Sequence, residues 1–247
     1  MLGEKPNSIK VSNEPDNILV YLPASEALAR KTMLAEGARA GFFEFFERAV
    51  CGSADAQAVI GLLYLIGWID GQPQFEEARY WSQRSAQQDC AYGMWVNAWD
   101  NLETENLWEG SQQMMLAAES GFPPAICNLG SFCYNGIFLP QSASLGLQLF
   151  RQAAKMGNHT AKTMIMVLYR SGQHGLVAKL FGSTVLTAKL SICNFFQRLR
   201  RAAYDIDGLV YARSLAIENM LRRKRFGEKI ESTYEIRLAQ LIPSTKI

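Results

Sequence analysis

Two histidines and five cysteines are the side chains here with the widest chemical reach, and their spacing fits no reaction centre. His159 stands in HTA and His174 in SGQHG, too far apart for a metal-binding HExxH helix. Cys51, Cys90, Cys127, Cys133 and Cys193 are odd in number and form no CxxC pair, which argues against a disulfide framework or a structural zinc site. Carboxylates pair at Glu76–Glu77 and at Glu103 with Glu105, near expected loops, where solvated charge is their ordinary role. The chain has no GxSxG nucleophile elbow, no phosphate-cradling GxxxxGK[ST] and no dinucleotide-binding GxGxxG. None of the roles on an active-site checklist can be filled, so the sequence points to a non-enzyme with no cofactor and no metal.

The elements that carry these residues come next. The 247 residues are 49% hydrophobic and 19% charged, which suits a water-soluble chain with a sizeable core. The net charge of +2 hides a split. Residues 51–158 hold ten acidic side chains against four basic ones, and residues 159–229 hold thirteen basic against four acidic. An acidic body and a basic end are expected. The start, MLGEKPNSIKVSNEPDN, lacks the apolar core of a signal peptide, and the unpaired cysteines suit a reduced, cytoplasmic setting. The uncharged run AVIGLLYLIGWI, Ala58 to Ile69, is too short for the roughly 20 residues of a membrane span.

That run recurs. Counted from Ala56, Ile60, Gly61, Tyr64 and Gly67 stand at offsets four, five, eight and eleven. From Ala125 the same offsets hold Leu129, Gly130, Cys133 and Gly136; from Ala161, Ile165, Met166, Tyr169 and Gly172. A weaker copy counted from Ala91 gives Trp95, Val96, Trp99 and Leu102. A second signature follows: AxxWSxRSAxxD from Ala78 to Asp89, GSQQMMLAAESG from Gly110 to Gly121, and GLQLFRQAAKMG from Gly146 to Gly157. Phe45, Phe46, Arg48, Ala49 and Val50 fit it too, so a degenerate copy begins near Leu22. Offsets zero, four, eight and eleven share one helix face. The glycine at offset five lets a neighbouring helix approach, at about 1 kcal/mol of helix propensity. Each unit therefore reads as a helical hairpin that must stack on its neighbours to bury its apolar face.

The two signatures in register resemble the Sel-one-like repeat, a relative of the tetratricopeptide repeat, over roughly Leu22 to Gly172. The resemblance implies an all-α fold: an α-solenoid of four to five hairpins that binds a protein partner in a concave groove lined by the first helix of each pair. It also implies the family's bacterial roles as regulator, adaptor or immunity protein neutralising a secreted toxin. Three regions are expected: an extended or disordered segment at 1–21, the repeat array at 22–172, and a helical, basic C-terminal cap at 173–247.

Between the packing positions, offsets two, six, nine and ten are expected to face the groove. They are Ala58, Leu62, Leu65 and Ile66 in the first copy, and Gly93, Asn97, Asp100 and Asn101 in the second. The third gives Cys127, Ser131, Tyr134 and Asn135; the fourth gives Thr163, Val167, Arg170 and Ser171. The asparagines could hydrogen-bond a peptide backbone, Tyr134 could anchor a partner, and Arg170 could take an acidic group. Leu62, Leu65 and Ile66 could equally be covered by the chain's own NILVYL, Asn17 to Leu22.

Beyond the array, Leu176, Leu180, Leu190, Phe195 and Leu199 read as core, and Leu209 to Arg225 and Lys229 to Leu241 as amphipathic helices. Arg222, Arg223, Lys224 and Arg225, with Arg198, Arg200 and Arg201, form a basic patch. It could contact nucleic acid or an acidic partner. A solvated helix end is the plainer reading, because no aromatic residues interleave the charge.

Overall fold

A computed structural model describes residues 38–69, 72–138 and 141–170, together with Ile217. Every regular element among the described residues is helical. They are α1 (Ala38–Val50), α2 (Ala54–Leu65), α3 (Phe75–Ala86), α4 (Ala91–Glu103), α5 (Leu107–Glu119), α6 (Pro123–Asn135), α7 (Ala143–Lys155) and α8 (His159–Arg170).

Local chemistry sets their ends. The Ser53 hydroxyl accepts from the Ala56 N–H at 3.3 Å, Ser142 from Leu145 at 3.3 Å, and the Asn158 carboxamide oxygen from Ala161 at 2.7 Å. Each satisfies an amide that the first helical turn leaves without a partner. Pro123 and Pro124 open α6, where a missing N–H costs nothing. The second helices close through one repeated device. A left-handed residue follows each: Gly52 (φ 99°), Asp89 (φ 57°), Gly121 (φ 79°) and Gly157 (φ 94°). The amide after it reaches back to the helix, as in Cys90 to Ser85, Phe122 to Ala117 and Asn158 to Ala153.

The helices pack in sequence order. α2 pairs with α3, α4 with α5 and α6 with α7, each hairpin leans on the next, and α2 also meets α4. This is a stack of helical hairpins, an α-solenoid. α1 is the second helix of the degenerate copy, and its aromatics staple it on: Phe46 lies edge-on to Trp81 at 5.6 Å and Phe42 to Tyr64 at 6.4 Å.

Small residues set the spacing inside each hairpin. A Cβ on Gly61 would sit 3.1 Å from the Ser82 nitrogen, and one on Gly130 would sit 3.0 Å from the Phe150 ring. In the second hairpin the close approach comes from α5, where a Cβ on Gly110 would lie 3.0 Å from the Ala98 carbonyl.

These contacts correct the register of the second copy. Gly110 meets Ala98 and Leu102 as Gly146 meets Gly130 and Tyr134, so Ala98 is the equivalent of Gly61 and Gly130. The copy is therefore anchored on Gly93, not Ala91. Each anchor then follows its left-handed residue by the same step: Gly52 to Ala56, Asp89 to Gly93, Gly121 to Ala125, Gly157 to Ala161.

The carboxylates expected near loops as solvated charge lie beside them, with Glu76, Glu77 and Glu105 exposed. Glu76 and Glu77 form the first turn of α3, where the helix dipole favours negative charge. NILVYL, the expected core residues from Leu176 to Leu199 and the basic patch lie outside the described residues.

Candidate partner-binding face

Each first helix has four sides, and hairpin contacts identify three of them. Offsets five and nine face the helix's own partner, as Gly130 with Phe150 and Tyr134 with Gly146. Offsets zero and seven face the second helix of the preceding hairpin. There Gly93 abuts Ser85, and Arg79 Nε donates to Asp100 Oδ2 at 2.9 Å. Successive first helices meet where Trp95 Nε1 donates to Asn128 Oδ1 at 2.8 Å and where Trp99 lies edge-on to Phe132 at 6.3 Å. The side away from the second helices carries offsets three, six and ten, because steps of three and four keep residues on one stripe, and at Asn128 and Trp99 that stripe borders the neighbouring first helix.

In the first hairpin this inner stripe is Val59, Leu62 and Ile66; in the second, Val96, Trp99 and Glu103. In the third it is Asn128, Ser131 and Asn135, followed by Met164 and Val167 on α8. The stripe thus runs from apolar at α2 to polar at α6.

Five of the expected groove residues hold this side: Leu62, Ile66, Ser131, Asn135 and Val167. Leu65 and Tyr134 stand at the offset that faces their own second helix, so they border the groove at most. Asn97, Asp100 and Asn101 leave it through the two-residue shift. Asn97 and Asn101 take the packing positions held elsewhere by Ile60 and Tyr64, and both are buried. Asn101 Nδ2 donates to the Asn97 carbonyl at 3.0 Å, while its own oxygen accepts from Asn106 at 3.3 Å. Gly93 turns toward α3. Arg170 ends α8, with its side chain outside the described residues, as are Arg198, Arg200, Arg201, Arg222, Arg223, Lys224 and Arg225. Trp99 and Glu103 were missed, and the step of four from Asp89 to the anchor was the signal that could have found them.

Exposure varies along the stripe. α4 is buried at eleven consecutive residues, Tyr92 to Leu102, three full turns with no side toward solvent. Val59, Leu62, Val96 and Trp99 are buried with it. Toward the other end Asn135 is half-buried and Val167 is 43% exposed. Asn135 Nδ2 donates to the Ser131 carbonyl at 2.9 Å and its hydroxyl at 3.2 Å, which orients the amide and points its oxygen elsewhere.

Burial works against ionisation of the enclosed groups. It pushes the Cys133 thiol up to about 12 and raises Cys90, so neither is a thiolate at neutral pH. Burial also raises the Asp100 carboxyl, more than the Arg79 guanidinium lowers it. Cys51, Cys90, Cys127 and Cys133 are in no disulfide. Among the described residues no three metal-ligating side chains gather, and no helix is long and apolar enough to cross a membrane.

Residues 54–90 and 123–158 match the Sel1 repeat, the two hairpins α2–α3 and α6–α7. A similar fold occurs in the crystal structure of a Sel1 repeat protein from Oxalobacter formigenes, at TM-score 0.50 and 19% identity, over 92% of this chain and 99% of that one. No curated protein matches the chain. Two of the stacked hairpins thus carry the Sel1 repeat, and the repeat suggests a scaffold for protein interaction.

Proposed function

We propose that this chain binds a protein partner along its inner face, entering from the open end at Asn135 and Val167. The exposure gradient carries the reading. A helix array that buries its apolar face at one end and leaves Asn135 and Val167 accessible at the other has a defined place for a guest chain to start. Asn135 offers an oriented amide oxygen to a backbone N–H, and Tyr134 borders the same end. The acidic excess of residues 51–158 favours a partner with a basic surface. Cysteines outside any disulfide suit a reducing, cytoplasmic compartment.

The narrower role of a bacterial immunity protein that neutralises a secreted toxin rests on the repeat resemblance. A toxin gene beside this one, and toxin inhibition by the purified chain, would support it; a toxin that stays active in excess chain would remove it. The basic patch from Arg198 to Arg225 gives a second reading, contact with nucleic acid or an acidic partner. Its test is salt-dependent DNA or RNA binding that falls when Arg222, Arg223 and Arg225 become Glu; absence of binding at low salt removes it.

The main reading is tested by affinity capture of one stoichiometric partner with the full chain. Val167→Arg and Asn135→Arg should abolish capture with helical content unchanged. Capture that survives both refutes the inner-face reading.

A further inference from the structure

Two asparagines on the inner side of α6 hold their carboxamides in opposite senses. Trp95 Nε1 donates to Asn128 Oδ1 at 2.8 Å. An indole N–H can only donate, so the atom it meets is the oxygen, and the Asn128 amide nitrogen is the end left over. Asn135 is turned the other way. Its Nδ2 donates to the Ser131 carbonyl at 2.9 Å, and a carbonyl can only accept, so its oxygen is the end left over. Among the described residues neither leftover end has a hydrogen-bond partner, and both asparagines are half-buried.

Asn128 thus offers donors and Asn135 an acceptor. They stand seven residues apart, two helical turns, or about 10.5 Å of rise. A helical guest pairs its interior N–H and C=O groups with each other and can answer neither. An extended chain leaves both on its edge, with an N–H and the C=O two residues on about 9 Å apart. Val167, 43% exposed at the same end, can take an apolar side chain of that guest. The ten acidic against four basic residues of 51–158 favour lysine or arginine among its others.

We propose that Asn128 and Asn135 are a donor–acceptor pair that holds the backbone of an extended, net-basic segment of the partner. This rests on the inner-face reading above and commits it to one conformation of the guest. Trp95 and Ser131 orient the two amides before binding, so the guest meets groups already in place.

Random dodecapeptides displayed on phage and selected on the full chain supply the probe. Enriched peptides should be net basic, and N-methylation of at least one interior backbone amide should weaken them tenfold or more. Asn128→Asp keeps an oxygen for Trp95 but exchanges the donors for an acceptor. It should weaken binding at least tenfold although it adds charge opposite to the peptide's. Asn135→Leu removes the acceptor and should do the same, whereas Asn135→Asp keeps one and should weaken binding less than twofold. Binding unchanged or tightened by Asn128→Asp overturns the proposal, and so do bound peptides that are helical by NMR. If Asn128→Asp does not fold, the N-methyl scan on the wild-type chain decides: tolerance at every position overturns it. Peptides lost on Val167→Arg but indifferent to Asn128→Asp and Asn135→Leu would refute the pair alone. So would a selection that enriches nothing while partner capture is still lost on Val167→Arg. Peptides indifferent to Val167→Arg and to every asparagine variant would refute the inner-face reading as well.

Discussion

Arg79 on α3 clamps Asp100 on α4, Nε to Oδ2 at 2.9 Å, across the boundary between two hairpins. The Asp100 side chain is fully buried, and its other oxygen, Oδ1, is enclosed without a hydrogen-bond partner. A single donor group therefore holds a carboxylate stripped of water. Desolvation outweighs that donor and raises the carboxyl above its usual range.

The consequence is a pH dependence of known sign. A carboxyl with a raised folded pKa binds its proton more tightly when folded, so its contribution to stability is full below the unfolded value, near 4, and is lost as pH rises through the folded value. Asp100→Asn removes the titration and keeps an oxygen for Arg79. Its urea midpoint should equal or exceed wild type at pH 7, with the gap narrowing as pH falls through the carboxylate range. A gap that widens toward acid would show the carboxylate to be favoured in the fold.

Gly93 faces Ser85, whose hydroxyl donates to the Ala54 carbonyl at 2.6 Å. The equivalent pairs are Ala125 with Ala117 and Ala161 with Ala153, so the larger Ser85 is matched by a smaller anchor. Gly93→Ala should cost roughly 1–3 kcal/mol by overpacking. Adding Ser85→Ala should recover part of that loss, a coupling that a double-mutant cycle in urea reads directly. Additive losses would contradict the size match. Gly61→Ala should change stability by no more than about 1 kcal/mol, because its tighter fit is offset by better helix propensity.

Asp89 does with a side chain what Gly121 and Gly157 do without one, holding φ at 57°. Asp89→Gly should raise stability by up to about 1 kcal/mol, the left-handed penalty less the entropy that glycine loses on folding. Thermal denaturation checks it, and a lower melting temperature would mean that the aspartate side chain supports the turn.

Thiol labelling at pH 8, read by peptide mass spectrometry, should modify exposed Cys51 within minutes and leave Cys133 unreacted until the chain unfolds. Rapid labelling of Cys133 in the folded chain would place it outside the core.

The hairpins could be read from sequence because their packing demands small residues at fixed places. Gly61 and Gly130 were identified by spacing alone, and the structure gives each the close helix contact that the spacing required. The second copy resisted for a physical reason. Its close approach is made by Gly110 on the other helix, so Val96 and Leu102 fell on positions that should hold glycine, and Ala91 served as a false anchor. The two-residue error moved Asn97, Asp100 and Asn101 onto the groove and hid Trp99 and Glu103. Burial of the inner stripe was beyond local pattern, since it depends on neighbouring helices, as where Trp99 packs on Phe132. For Leu62 and Ile66 the sequence left docking and self-coverage equally open, because it shows which side a residue takes and not what covers it.

Titration of the captured partner against three variants of the full chain tests the central claim most directly. If the inner face is the binding surface, Val167→Arg and Asn135→Arg weaken affinity at least tenfold, about 1.4 kcal/mol, while Trp108→Ala on exposed α5 changes it less than twofold. Loss on Trp108→Ala with Val167→Arg and Asn135→Arg unaffected would contradict the account and place the partner on the second helices.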